Sequence, residues 1–380
     1  MPTTFNIAGY YFFYFAFVGA FTPYFALYLQ SGGMPASQIG LLMSMMPLMR
    51  LIGPYGWGSL ADTRLSRGST VRLTTSACLA IFTLLFWVHG FNALVPSLAL
   101  LAFFWSASLP LVETLTFEHL KEKPQHYGRI RMWGSIGFIV AVGVTGYVID
   151  HQTTQADLWA SWICLAGIVL FAFQLPKGNP LPKHAKQGKL SLLLTNPSIR
   201  ALFLSCFLMS IAHGTFYVFF SIYLSEQGYN TSTVGILWSL GVIAEIVVFM
   251  KMPWLIHYCG LRRLLLLCFC AAVFRFLITA WLVGSFVWII FAQLLHGLTF
   301  GAHHAASVAV VNQAFGEAVR ARAQALYSSL SFGAGGLVGS LLSSELWENA
   351  GGSMAFSMSA FFGFLGLLII HKNFKEPLYP

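Results

Sequence analysis

Twelve apolar runs follow one another along the 380 residues, each about as long as a helix must be to cross a hydrocarbon core. They fall near residues 6–30, 36–60, 71–89, 93–119, 127–149, 158–175, 198–225, 231–256, 261–284, 286–314, 318–344 and 353–371. Inside a bilayer no water pairs with backbone N–H and C=O groups, so each run must pair its own and is predicted to be helical. With hydrophobic residues at 57% and charged ones at 9%, there is more apolar surface than a soluble domain could enclose. Disorder and an ordinary cytosolic enzyme are both excluded.

Charge placement sets the orientation. Nineteen of the 21 Lys and Arg residues lie in even-numbered connections or the C-terminal tail: Arg64, Arg67 and Arg72; Lys121, Lys123, Arg129 and Arg131; Lys177, Lys183, Lys186, Lys189 and Arg200; Lys251, Arg262 and Arg263; Arg320 and Arg322; Lys372 and Lys375. The alternate loops carry Asp150, Asp157, Glu226, Glu345 and Glu348 and no base. Bases are retained on the cytoplasmic side, so both termini are expected there, in a multi-pass protein of the cytoplasmic (inner) membrane. A nucleic-acid binder would gather its bases on one soluble face, so nucleic acid is not expected as a partner. The first run has no basic segment before it and no small-residue cleavage site after it, and is expected to be a retained helix. The six cysteines sit almost entirely in apolar stretches without metal-ligand spacing and are expected to be free thiols.

The chain also repeats. A shift of 195 residues lays Phe25, Tyr28, Leu29, Gly33, Ser37, Gly40, Leu42 and Ser44 on Phe220, Tyr223, Leu224, Gly228, Ser232, Gly235, Leu237 and Ser239, and Gly19 and Arg67 on Gly214 and Arg262. Between the halves, Pro176 to Pro197 holds four prolines and four lysines, as a flexible linker would. The expected organisation is a six-helix bundle over 1–175, a cytoplasmic linker over 176–197 and a second bundle over 198–380. Two parallel six-helix repeats are the pattern of major facilitator transporters, whose solute site lies near the bilayer midplane between the halves. The predicted fold class is therefore an all-α integral membrane protein of twelve transmembrane helices.

The second cytoplasmic loop, Gly58-Ser-Leu-Ala-Asp62-Thr-Arg64-Leu-Ser-Arg67-Gly68, resembles the major facilitator loop signature. That resemblance implies a conformational latch in which Asp62 and Arg67 take part. The equivalent loop keeps Gly260-Leu-Arg262-Arg263 but has His257 where the repeat expects the aspartate.

Charges within a bilayer are costly, which singles out Arg50, Glu113, Glu245 and Arg275. At 1.5 Å per residue, Arg50 lies roughly 15 Å from the cytoplasmic end of the second span, and Glu245 is its repeat partner. Glu113 and Arg131 are symmetric about residue 122, Glu245 and Arg275 about Gly260, so antiparallel neighbours bring each pair to one level. Each pair can neutralise itself, or its carboxylate can take a proton while the freed guanidinium receives substrate. Four histidines, His213, His296, His303 and His304, fall in predicted spans, and His296 and His303, seven apart, share a face of a regular helix. Gly333-Ala-Gly335-Gly336-Leu-Val-Gly339 lies in an apolar run and is expected to serve close helix packing.

Pro110-Leu-Val-Glu113, then Tyr127-Gly-Arg129-Ile-Arg131-Met-Trp133-Gly-Ser135, with Ala244-Glu245, Arg275 and Leu295-His296, resemble the phenylpropionate permease family and, more distantly, lactose permease. The resemblance covers essentially the whole chain. In lactose permease the counterparts of Glu113 and Arg131 bind sugar, and those of Arg275 and His296 belong to the proton-coupling network. This chain departs from it at Thr299, where lactose permease has a carboxylate, and at Tyr217 and Phe220, where it has aspartates, so lactose is not expected as substrate.

The sequence thus predicts a proton-coupled symporter for a small organic solute, an aromatic carboxylate such as 3-phenylpropionate being what the resemblance implies. Sugar or nucleoside symport is the alternative and drug efflux a weaker one. Arg50, Glu113, Arg131, Tyr24 and Tyr217 are the expected substrate contacts; Glu245, Arg275, His296 and Glu113 the proton-coupling groups. No enzyme activity, metal or cofactor is expected, the proton gradient supplying the energy, and the expected partners are solute, protons and lipid around a monomer.

Overall fold

The computed structural model describes residues 2–63, 65–120, 126–178, 195–315 and 317–375. The expected linker lies largely outside these residues. The first six helices are α1 (Pro2–Ser31), α2 (Ala36–Thr63), α3 (Arg67–Leu84), α4 (Phe91–Leu120), α5 (Tyr127–His151) and α6 (Ala156–Ala172). The second six begin with α7 (Pro197–Glu226). A helical stretch of 51 residues then breaks at Gly260 (φ 70°) into α8 (231–259) and α9 (261–281). After α10 (Phe286–Ala314) a second long stretch breaks at Gly351 (φ 80°), giving α11 (317–350) and α12 (352–373). Only glycine takes that left-handed conformation without a Cβ penalty, so these two residues turn what hydropathy alone would leave as single rods into antiparallel pairs. Twelve helical passes result among the described residues, and the chain is an all-α, multi-pass membrane protein.

The helices group into two compact units, one of Met1–Pro182 with Gly228–Ser239, the other of Lys183–Gln227 with Leu240–Pro380. The first turns of α8 thus pack with the first unit, although the expected boundary assigned all of 198–380 to the second half. Asp150, at the end of α5, holds those turns: its carboxylate accepts from the backbone N–H groups of Thr231 (2.7 Å) and Ser232 (2.9 Å) and from both hydroxyls. An anion there meets the unpaired N–H groups and positive dipole end of α8.

In the first unit α1 packs chiefly against α5 and α6, and α4 against α2 and α3. The α1–α5 crossing is close because Gly19 faces backbone: a Cβ at this position would lie 2.6 Å from Phe138 O. Its repeat partner Gly214 does the same for α7 and α11, where a Cβ would lie 2.6 Å from the Cα of Gly339. Gly33 and Gly228, also equivalent in the repeat, end α1 and α7 with φ of 82° and 85°. The glycine run of α11 serves helix packing as expected, with Gly335 against Phe207 and Gly339 against Ile211.

One cap recurs in both units. Arg72 of α3 donates to the carbonyls of Ala172 and Leu175 at the end of α6, and Arg262 of α9 donates to those of His371 and Phe374 at the end of α12. Each satisfies carbonyls that the helix itself leaves unpaired. Arg67, which the repeat lays on Arg262, instead ion-pairs with Glu118 of α4.

Two helices of the second unit are not regular throughout. Residues Gly297–Ala302 of α10 and Ser329–Gly335 of α11 form π-helical turns, a feature that recurs at functional sites.

Candidate functional site

Each unit holds one cluster of ionisable side chains among aromatic rings. In the first unit Arg131 of α5 lies with its guanidinium 3.8 Å from the Phe15 ring centre and 5.8 Å from that of Tyr11, both on α1. Gly134, one turn on, faces Phe15 and the Arg131 guanidinium, so no side chain intervenes. Glu113 of α4 accepts a hydrogen bond from the Tyr127 hydroxyl at 3.2 Å. Arg131 and Arg50 both act on Glu113 electrostatically, and Arg50 also acts on the buried Tyr14. Tyr14 stacks on Trp105 at 4.2 Å, and Tyr11 shares a hydrogen bond with Thr116 at 3.3 Å. The structure therefore brings Arg50, Glu113 and Arg131 together, with a cation on an aromatic face and a carboxylate held by a phenol.

Tyr24 stands elsewhere. It is fully buried, and its hydroxyl donates to the carbonyls of Val142 (2.8 Å) and Thr231 (3.3 Å). Arg67, expected to act in a latch, is buried in its ion pair with Glu118. Asp62 closes the last turn of α2, and its side chain lies outside what the structure describes.

In the second unit Glu245 of α8 and Arg275 of α9 do not form the direct pair their symmetry about Gly260 suggests. Glu245 Oε1 lies 2.8 Å from His296 Nε2. The close approach comes from Gly297, where a Cβ would stand 2.7 Å from Ala244 O, so that α10 lies against the α8 backbone. Arg275, fully buried, donates from Nη1 to His213 Nε2 (3.2 Å) and to Thr299 Oγ1 (3.0 Å), with its guanidinium 4.2 Å from the Phe216 ring centre. Glu245 and Tyr217 act on Arg275 through space, and the Tyr217 ring lies 6.0 Å from that of His213.

A π turn lies between His296 and His303, and both act on His213 through space. His303 packs edge-on against Phe269 of α9. The rings in one column are those of His296, Phe300 and His304, nearly parallel at 11° and 13°. His304 Nδ1 then meets the Tyr327 hydroxyl at 2.9 Å.

Chemically, the first cluster can hold a polar or anionic solute group against aromatic surface, and the second can bind a proton. A carboxylate and an imidazole nitrogen 2.8 Å apart share one hydrogen, from either the acid or the ring.

Comparison with known proteins places this arrangement. The profile of the MFS_1-like family matches residues 4–358, nearly the whole chain. The chain belongs to that family. It is a major facilitator transporter and not an enzyme. It is 31% identical over 332 residues to the "Probable 3-phenylpropionic acid transporter" of Escherichia coli, covering 85% of this chain and 86% of that protein. It is 28% identical over 378 residues to the maltose permease of Geobacillus stearothermophilus, covering 96% and 93% respectively. The crystal structure of the nucleoside transporter NupG superposes with a TM-score of 0.83 at 18% identity, covering 99% of this chain and all of that one, a likeness of fold.

Sequence reasoning on this transporter left out several residues of the clusters. Tyr11, Tyr14 and Phe15 lie in a run, Tyr10-Tyr-Phe-Phe-Tyr-Phe15, where every position is aromatic, so no periodicity marks which rings face Arg131. His213 and Thr299, which the sequence marks only as a histidine within a span and as a departure from lactose permease, hold Arg275 from two other helices.

Proposed function

We propose that the transporter carries out proton-coupled uptake of a small aromatic carboxylate, of which 3-phenylpropionate is the leading candidate. The observation that carries the coupling is the Glu245–His296 contact at 2.8 Å: two groups that share one proton inside an apolar bundle, where any net charge is costly. The solute class rests on similarity along most of the chain to the phenylpropionic acid transporter.

In the first unit Arg131, with Arg50 nearby, receives the polar end of the solute, and Glu113 adjusts its charge. The aromatic walls in that unit are Phe15, Tyr11 and Tyr14 on α1, and Tyr217 belongs to the second unit, beside His213. Tyr24 has no place among the contacts, because backbone carbonyls engage its hydroxyl. Transport proceeds by alternating access, the site opening to one side of the membrane at a time. Proton and solute assist one another's binding because each relieves a charge that the other leaves uncompensated. The protein works as a monomer in the inner membrane with its termini in the cytoplasm, the Asp62 loop acts as the cytoplasmic latch, and the proton gradient is the energy source in place of any cofactor.

The test is uptake into proteoliposomes with an imposed pH gradient, comparing labelled 3-phenylpropionate, maltose and uridine. Accumulation of the carboxylate alone, abolished by a protonophore, is expected. Gradient-driven accumulation of maltose or uridine with none of the carboxylate transfers the assignment to sugar or nucleoside symport, which similarity to maltose permease makes the second reading.

A further inference from the structure

The hydrogen bonds around Arg275 leave one edge of its guanidinium without a partner. His213 Nδ1 lies 2.8 Å from Met209 O, and a carbonyl can only accept, so Nδ1 carries the hydrogen. His213 Nε2 faces Arg275 Nη1, which can only donate, so Nε2 carries the lone pair. Both ring nitrogens are thereby assigned. His213 is held as a neutral acceptor and cannot take up a proton at Nε2 without releasing Arg275.

This arrangement leaves Arg275 Nε and Nη2 buried with no hydrogen-bond partner among the described residues. These two N–H groups form the parallel edge that matches the two oxygens of a carboxylate. Phe216 covers the guanidinium face, and Thr299 holds Nη1 from another side. An orphaned, fully buried, always-charged donor pair is costly, which points to an acceptor that arrives during function. Glu245, the carboxylate acting on Arg275 through space, lies in contact with His296.

We infer that the Nε–Nη2 edge of Arg275 is a seat for a planar monocarboxylate, and that His213 is the positioning residue that aims it. The inference rests on the proposed transport of a carboxylate and assigns to Arg275 a ligand contact in place of a purely proton-coupling role. Arg131 and Arg275 are then alternative partners of the one carboxylate, each within its own unit.

The experiment is competition binding of labelled 3-phenylpropionate to the purified full-length transporter in nanodiscs, displaced by the unlabelled acid or by 3-phenylpropionamide. Wild type should prefer the acid. Arg275→Lys should lose about tenfold or more in affinity for the acid with little change for the amide, because a point charge replaces the fork. Should Arg275→Lys fail to fold, His213→Leu should show the same selective loss, and His213→Gln, which keeps an acceptor oxygen, should restore the acid preference. A structural role alone would lower both affinities together. An unchanged acid-to-amide ratio in Arg275→Lys or His213→Leu overturns the seat, including when accumulation is lost, since that outcome assigns Arg275 to Glu245 alone. A thermal-shift series with benzoate separates this inference from the choice of solute. Stabilisation of wild type that Arg275→Lys abolishes supports the seat even where 3-phenylpropionate is not transported, and no stabilisation of wild type refutes it.

Discussion

The guanidinium of Arg131 lies over the Phe15 ring, 3.8 Å from its centre, while acting on Glu113. Arg131→Lys keeps the charge and loses both the stacking face and the fork, so solute affinity should fall about tenfold, as equilibrium binding would record. Unchanged affinity would remove Arg131 from the site. Glu245→Gln removes the carboxylate that shares a proton with His296. Accumulation driven by a pH gradient should be abolished, while exchange of labelled for unlabelled solute, which needs no net proton movement, should continue. Normal accumulation by this variant would place the coupling on Glu113 or another group. These charged residues were legible from the chain because a charge inside an apolar run stands out, and so was Arg131 as the neighbour of Glu113; the partners of Glu245 and Arg275 were not. The turn at Gly260 was located correctly, yet the pairing of Glu245 with Arg275 was not, because a third helix supplies His296 and a fourth supplies His213.

At the scale of helices, close approach decides what meets what. Gly297 lets α10 rest on α8 with a would-be Cβ only 2.7 Å from Ala244 O. Gly297→Val should push the two helices apart, cost about 1–3 kcal/mol by overpacking and lower the thermal midpoint. The same displacement separates His296 from Glu245, so proton-driven accumulation should fall further than solute binding does. A variant with unaltered midpoint and accumulation would show that the contact is not needed. Gly214→Val, against Gly339 at the α7–α11 crossing, should lower the midpoint as well. The π turn of α10 belongs to this scale too. Hydropathy sees only an apolar run there, since helix periodicity assumes a constant number of residues per turn.

For the whole transporter, coupling of solute to proton should make uptake depend on the direction of the gradient. Vesicles that are alkaline inside should accumulate the carboxylate, a protonophore should abolish the accumulation, and reversing the gradient should drive efflux; rates indifferent to the gradient would establish facilitated diffusion. The architecture behind this behaviour follows from the chain alone. Span number, helical state and repeat come from constraints that act residue by residue: apolar side chains seek lipid, backbone groups must pair locally, and bases stay on one side. The equal conformations of Gly33 and Gly228 and the matching crossings at Gly19 and Gly214 bear the repeat out in three dimensions. Which helix faces pack, which carboxylate finds which base and which edge of Arg275 stays without a partner were decided only by tertiary structure. Those outcomes depend on distances between residues far apart in the chain, fixed by a few glycines and one change of helical pitch, and no local property of the sequence encodes them.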